Sequence, residues 1–297
     1  MPNIFQHLLR ADDRSAWLRT YYQRKMGKLT DRKFSAVEVE SFVERAFDVE
    51  AEKDFPYRLR KWFDLFLLLD TNSYVDRKIF QQEGWEGRQL DIIKSACHHF
   101  KKNGGFTFLD VGAYWGLYAM KSVQWGADAT IAMEPDPQNH KHLLTHLMIN
   151  NLLDKVETYH LAASSEACTL NFLASEAISC GNRGGAQVVS DVNDQLVSVK
   201  GVKIDDVAPF NGRNIIVKLD VEGHELHALR GMQRLCDENV IFAQIEIWEK
   251  NQQSVCEYAE SIGLRLLHSI ADDFFFSNSA DLEWLDNALS SQGGVRN

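Results

Sequence analysis

Acidic residues stand in this chain at the ends of apolar runs and beside glycines, an arrangement able to hold a cation and a sugar side by side. In FTFLDVGAYWGLYA an apolar run ends in Asp110, and a turn from Gly112 through Ala113 to Gly116 leads into helical sequence near Leu117. Glycines there let the backbone come close to a ligand. The spacing is GxxxG, not the GxGxxG that sets a pyrophosphate against a helix N-terminus, and Asp110 would repel a pyrophosphate. An acid at this place suits the ammonium of a methionine-like group. The plainer reading is a tight turn in which Asp110 only caps the helix.

Two further clusters stand downstream. Glu134 closes TIAME, where an acid at the end of a second strand accepts hydrogen bonds from both hydroxyls of a ribose. Its plainer reading is a surface carboxylate ahead of the turn formers Pro135 and Pro137. IIVKLDVEGHE then gathers Lys218, Asp220, Glu222, His224 and Glu225 around Gly223. So many ionisable groups at one strand end point to a working site, where a carboxylate or His224 takes a proton from an acceptor hydroxyl. The alternative is a helix start decorated with acids that favour its dipole. Glu246 and Glu249 close FAQIEIWEK on the same rim, as candidate walls of an acceptor pocket. A metal among Asp220, Glu222, His224 and Glu246 is chemically feasible, but no ligand spacing specifies one and none is expected. His142 and His146, one helical turn apart, read as helix surface.

The elements that must position these residues are legible in the rhythm of the chain. From Phe106 short apolar runs (FTFLDVGA, TIAMEP, VETYHLAAS, NIIVKLDVEG, VIFAQIEIW) alternate with helical stretches at Leu117 to Trp125, Gln138 to Asn150, His224 to Leu235 and Gln252 to Ile262. Runs buried on both faces and separated by helices imply a parallel sheet. LRLLHSI and FFFSN, joined around Asp272, predict a terminal antiparallel hairpin that completes seven strands. Between about 164 and 213 the runs NFLAS, SCGNRGGAQVVS and LVSVKGVKI predict inserted strands near the site, with Gly181 to Gly185 as a loop that closes over the ligand. The expected organisation is an N-terminal helical extension over residues 1–100, a catalytic domain over 101–280 and a tail over 281–297. VEVESFVERAFDVEAEK and PYRLRKWFDLFLLLD are both read as helix, from apolar and charged residues at three-to-four spacing.

Composition bounds the function. The net charge of -10 argues against a nucleic-acid partner, whose phosphates need a neutralising surface. The longest apolar burst, Trp62 to Leu69, is too short to span a membrane and is expected as buried helix. The opening MPNIFQHLLRADD lacks the pattern of a secretory signal, so the expected location is cytoplasmic. Five scattered cysteines without a CxxC pair (Cys97, Cys168, Cys180, Cys236 and Cys256) fit reduced thiols. An exposed apolar face at 55–75 would suit a homodimer.

From about Gly84 to Ser277 the chain resembles the FkbM family of methyltransferases. The likeness rests on FLDVGAYWGLYA, on EPDPQNHKHLLTHLMINNL with its proline pair and Asn150, on HLAAS, and on VKLDVEGHELHALRGM. Gly84-Trp85-Glu86 matches a short element that precedes the family's first strand. The last motif is the most specific: Lys218, Asp220, Glu222, Gly223 and Glu225 fit the family's K-x-D-x-E-G-x-E, and Leu229 and Gly231 fit the leucine and small residue that come after it.

The resemblance implies a Rossmann-like class I sheet that binds S-adenosyl-L-methionine and methylates oxygen on a saccharide or natural-product hydroxyl. It places Asp110, Gly112, Ala113 and Gly116 at the methionine end, Glu134 and Pro135 at the ribose, Ala162 and Ala163 at the adenine edge, and Asp220 between donor and acceptor. The chain departs from the family at Tyr114, where Asn is usual, and at the bulky Trp115 beside it. Two other classes compete: a nonenzymatic adenosylmethionine-binding or assembly protein on the same fold, and an NAD-dependent oxidoreductase, which the missing GxGxxG disfavours.

Overall fold

The computed structural model describes residues 57–70, 73–80, 85–178, 182–189, 196–282, 284–285 and 289. The first expected helix, VEVESFVERAFDVEAEK, lies outside them, as do Cys180 and Gly181. The chain opens on β1 (Tyr57–Trp62) and β2 (Leu65–Asp70), then α1 (Tyr74–Phe80), α2 (Gly87–Lys102), β3 (Thr107–Val111), α3 (Leu117–Gln124), β4 (Ala129–Met133), α4 (Pro137–Ile149) and β5 (Glu157–Tyr159). An inserted set of strands comes next: β6 (Ala162–Ala163), β7 (Cys168–Leu173), β8 (Gln187–Val188) and β9 (Leu196–Val202). The remainder is α5 (Ile204–Val207), β10 (Asn214–Leu219), α6 (Glu225–Arg230), α7 (Gln233–Glu238), β11 (Val240–Glu246), α8 (Gln252–Ser261), β12 (Arg265–Ile270) and β13 (Asp273–Ser277).

The seven-stranded sheet runs β12-β13-β11-β10-β3-β4-β5, with β13 antiparallel to both neighbours and the other pairings parallel. This is the Rossmann-like class I arrangement, and the expected terminal hairpin supplies β12 and β13. Along β10 alternate side chains enter opposite cores: Ile216 joins Phe108, Phe242 and the helices α2 to α4, whereas Ile215, Val217 and Leu219 join α6 to α8. A strand buried on both faces is therefore apolar at nearly every position. The chain starts the sheet at β3, builds outward to β5, and returns to the other side at β10, so a crevice opens at the carboxyl ends of β3 and β10. The insertion forms a separate four-stranded sheet, β6-β9-β7-β8, beside that crevice.

Several expectations are corrected. Residues 57–70 form an antiparallel hairpin, not a helix, and the burst Trp62 to Leu69 is its turn and inner strand. In β2, Leu65, Leu67 and Leu69 are buried against the domain, so the expected dimer face is core, with Phe63 left exposed at the tip. His142 and His146 are buried, not surface: His146 Nδ1 donates to the Trp115 carbonyl at 3.0 Å and Nε2 accepts the Leu68 N–H at 2.9 Å. Together with Asn150, which takes the Phe66 N–H and returns an N–H to its carbonyl, His146 satisfies the free edge of β2. Burial pushes the His146 imidazole down to about 4 and keeps it neutral for this role. The helix expected from His224 to Leu235 is two short ones broken at Gly231, where a Cβ would collide with the Ser164 carbonyl. Among the described residues, no helix is long and apolar enough to cross a membrane.

Candidate active site

The first loop owes its shape to close backbone contacts. Gly112 (φ 81°) sits where a Cβ would run into the Asp220 carbonyl, and its N–H and that of Ala113 both donate to the Met133 carbonyl at 2.9 Å. The ends of β3, β4 and β10 are thereby drawn to one point. Gly116 (φ 87°) caps α3, where a Cβ would strike Leu143 of α4. Tyr114 between them adopts φ 51°, a left-handed conformation that Asn takes cheaply and Tyr does not.

A cavity at this point is lined by Asp110, Gly112, Ala113, Glu134, Pro135, Ala162, Ala163, Asp220, Glu222, His224 and Glu246. Of the residues singled out at these strand ends, Gly116, Gly223, Glu225 and Glu249 do not line it; Gly116 shapes the loop from behind, Glu225 accepts the Gly223 N–H at 2.6 Å, and Glu249 lies in a short turn beyond β11. Asp110 and Glu134 also have structural duties. Asp110 Oδ2 accepts the Ala119 N–H at 2.8 Å and so caps α3, while Glu134 accepts N–H groups of Tyr114 at 2.7 Å and Asp136 at 2.8 Å. Burial, opposed by the Ala119 N–H and by Lys218, pushes Asp110 up to about 7; burial raises Glu134 well above the usual carboxylate range.

The far end of the cavity is built around Lys218. Its Nζ is 3.2 Å from Asp220 Oδ2 and 3.7 Å from both Glu246 Oε2 and Asp273 Oδ1. Burial opposes this charge, but Asp220, Glu86, Asp273 and Glu246 outweigh it and hold the ammonium well above its ordinary value. Burial and then Asp220 push Glu222 up to about 8, and Asp220 followed by burial pushes Glu246 up to about 9. Burial and His227 lower His224 to about 4. Burial and the neighbouring charge thus favour a neutral imidazole at His224 and protonated carboxyls at Glu222 and Glu246, beside the Lys218–Asp220 ion pair.

Sequence reasoning underweighted several lining residues. Glu86 (φ 47°) accepts the Tyr118 hydroxyl at 2.5 Å, and Tyr118 in turn accepts from Gln244, which also donates to Asp273 at 2.7 Å. Trp85 and Tyr74 meet edge to face at the cavity wall. Glu86 and Trp85 were visible within Gly84-Trp85-Glu86, and Asn139 within EPDPQN. Tyr74 carried no local signal. Among the described residues no cluster of His, Cys, Asp and Glu forms a metal site, and Cys97, Cys168, Cys236 and Cys256 are free thiols.

A parallel sheet with a glycine turn, two acids at successive strand ends and a third at the switch point defines a class I nucleoside-binding fold of the methyltransferase kind. The model of the FkbM methyltransferase domain matches residues 110–272, more than half of the chain, and the protein belongs to that family. It is thus a methyltransferase, and S-adenosyl-L-methionine is its methyl donor.

Solved structures similar to the chain include TYW2 of M. jannaschii in complex with AdoMet (13% identity, 76% of this chain and 86% of that one, TM-score 0.38). Precorrin-6y C5,15-methyltransferase of Geobacter metallireducens is 11% identical over 65% of this chain and 86% of that one, with TM-score 0.36. The bifunctional kinase-methyltransferase WbdD is 14% identical over 66% and 40%, with TM-score 0.41. No curated protein sequence matches the chain significantly.

The residues present fit the donor. Gly112 keeps the turn tight against the end of β10, Asp110 has a second carboxyl oxygen free of the Ala119 N–H, and Glu134 holds lone pairs not used by its two N–H partners.

Proposed function

We propose that the protein transfers a methyl group to a hydroxyl of a neutral, polyhydroxylated acceptor, a saccharide or natural product, with Asp220 as the base. The observation that carries this reading is the position of Asp220: it ends β10 in the same cavity as Asp110 and Glu134, is paired with Lys218, and faces Glu222, His224 and Glu246. In the proposed division of the site, Asp110 and the turn Gly112 to Gly116 receive the methionine end, Glu134 and Pro135 the ribose, and Ala162 and Ala163 the adenine edge. When bound, the donor supplies an electrophilic methyl on a sulfonium.

The chain's own residues would do the rest. Asp220 takes the proton of the acceptor hydroxyl as its oxygen forms the new bond to carbon, and the bond from carbon to sulfur breaks with its electrons remaining on sulfur. Protonated Glu222 and Glu246 donate hydrogen bonds to neighbouring hydroxyls, and Trp85 and Tyr74 offer an aromatic wall to a sugar face. Lys218 is the one lysine or arginine among the described residues lining the cavity, and carboxylates already surround it, so a phosphorylated acceptor finds no free cation. Orientation of this kind contributes on the order of 7 to 11 kcal/mol to such a transfer.

The test is a methyl-transfer assay on panels of neutral saccharides, hydroxylated natural products and their phosphorylated or carboxylated counterparts. Turnover of neutral polyols with loss in Asp220→Asn supports the reading. Turnover confined to anionic acceptors, or to amines, overturns it.

A further inference from the structure

The unusual residue of the first loop, Tyr114, begins and ends a closed circuit of hydrogen bonds around the nucleoside end of the cavity. Its N–H donates to Glu134 Oε2 at 2.7 Å, and Glu134 Oε1 accepts the Asp136 N–H at 2.8 Å. Asp136 Oδ1 accepts the Asn139 N–H at 2.8 Å, and Asn139 Nδ2 donates to the Arg183 carbonyl at 3.1 Å. The Arg183 guanidinium pairs with Asp70 at the end of β2. The Asp70 N–H donates to Asp76 Oδ2 at 2.8 Å, and the Tyr114 hydroxyl returns to Asp76 Oδ1 at 3.1 Å. Asp70 and Asp76 precede residue 110, where the family match begins.

Within this circuit the carboxamide oxygen of Asn139 is not used. Asn139 is 2% exposed and lines the cavity, and its Oδ1 has no hydrogen-bond partner among the described residues. Its amide orientation is fixed, because the Arg183 carbonyl can only accept and so must face the nitrogen. A buried acceptor without a partner is costly unless something fills it.

We propose that residues 57–70 and 73–80 are the outer wall of the donor's nucleoside site, fastened by the Tyr114 hydroxyl and Arg183, and that Asn139 Oδ1 accepts a hydrogen bond from the nucleoside. Tyr114 is here a positioning residue: its hydroxyl holds Asp76 and the wall, while its N–H orients the Glu134 carboxylate. The substitution of Tyr for the usual Asn then has a physical reason, since a shorter side chain could not reach Asp76 across the cavity mouth. The strain of φ 51° is offset by the buried hydrogen bonds to Asp76 and, at 2.8 Å, to Ser73 Oγ.

This rests on the donor occupying the cavity, and the experiment separates the two. Calorimetric titration of S-adenosylhomocysteine is run on the full chain and on Tyr114→Phe, Asn139→Ala and the double variant, with thermal unfolding of each. The expected result is about tenfold weaker binding for each single variant, as for one lost hydrogen bond to a buried group, and for the double variant a loss smaller than the product of the two. Wild-type affinity in both folded single variants, or lowered unfolding temperatures with unchanged affinity, would overturn the inference while leaving the donor site intact. Failure of the wild type to bind would instead overturn the donor reading itself.

Discussion

The ammonium of Lys218 lies 3.2 Å from Asp220 and 3.7 Å from Glu246, with its whole side chain only 3% exposed. One buried cation thus balances several carboxyls on adjacent strand ends. Removing it leaves acids unpaired in a poorly solvated place. Lys218→Met is expected to destabilise the protein by about 3–5 kcal/mol at pH 7 in denaturant titration. The loss should shrink when Asp220→Asn is introduced as well, because the partner charge is then removed with the lysine; an equal loss in both backgrounds would argue against the electrostatic account.

Asp220→Asn keeps shape and removes the proposed base. Turnover should fall by about 10²–10⁴-fold, with affinity for S-adenosylhomocysteine within about threefold of wild type. A parallel fall in both would make Asp220 a binding residue.

Asp110 gives the proposed donor site a pH dependence of definite sign. Its folded-state value of about 7 lies above the ordinary value of 3.8, so this group favours the fold most below pH 4, and that contribution is lost as pH rises to 7. A bound cation favours the carboxylate, so donor binding releases protons near pH 7, and affinity climbs as pH rises through about 7 before levelling. Asp110→Asn should abolish the proton release, measured by calorimetry in buffers of different ionisation enthalpy. The variant without ligand should also be more stable than wild type at pH 8, by something on the order of 2 kcal/mol.

The turn depends on Gly112 being glycine. Gly112→Ala combines φ 81° with a collision at the Asp220 carbonyl, so it should separate the ends of β3 and β10 and cost more than about 1–3 kcal/mol in stability. An unfolding curve matching that of wild type would show that the loop relaxes freely.

What the sequence disclosed was what it encodes locally. Asp110 with its glycines, Glu134 before its prolines and the acids after β10 each belong to a strand, turn and helix within one short window. The hairpin at 57–70 was hidden because β2 is buried at nearly every position and has no alternation, and because Asp64 gave the stretch a helix-like spacing. His146 escapes a sequence reading because its helix also carries the exposed Lys141, and the partners that bury it, the Leu68 N–H and the Trp115 carbonyl, are 78 and 31 residues away. The contacts of Glu86, Asn139 and Tyr114 span 32 to 44 residues and leave no mark in any window.

The most direct measurement is a crystal structure of the protein with S-adenosylhomocysteine. The account predicts ribose hydroxyls on Glu134, the amino-acid end against Asp110 and the turn at Gly112, and the sulfur turned toward Asp220. A ligand bound away from Glu134, or with its sulfur facing away from Asp220, would contradict the account.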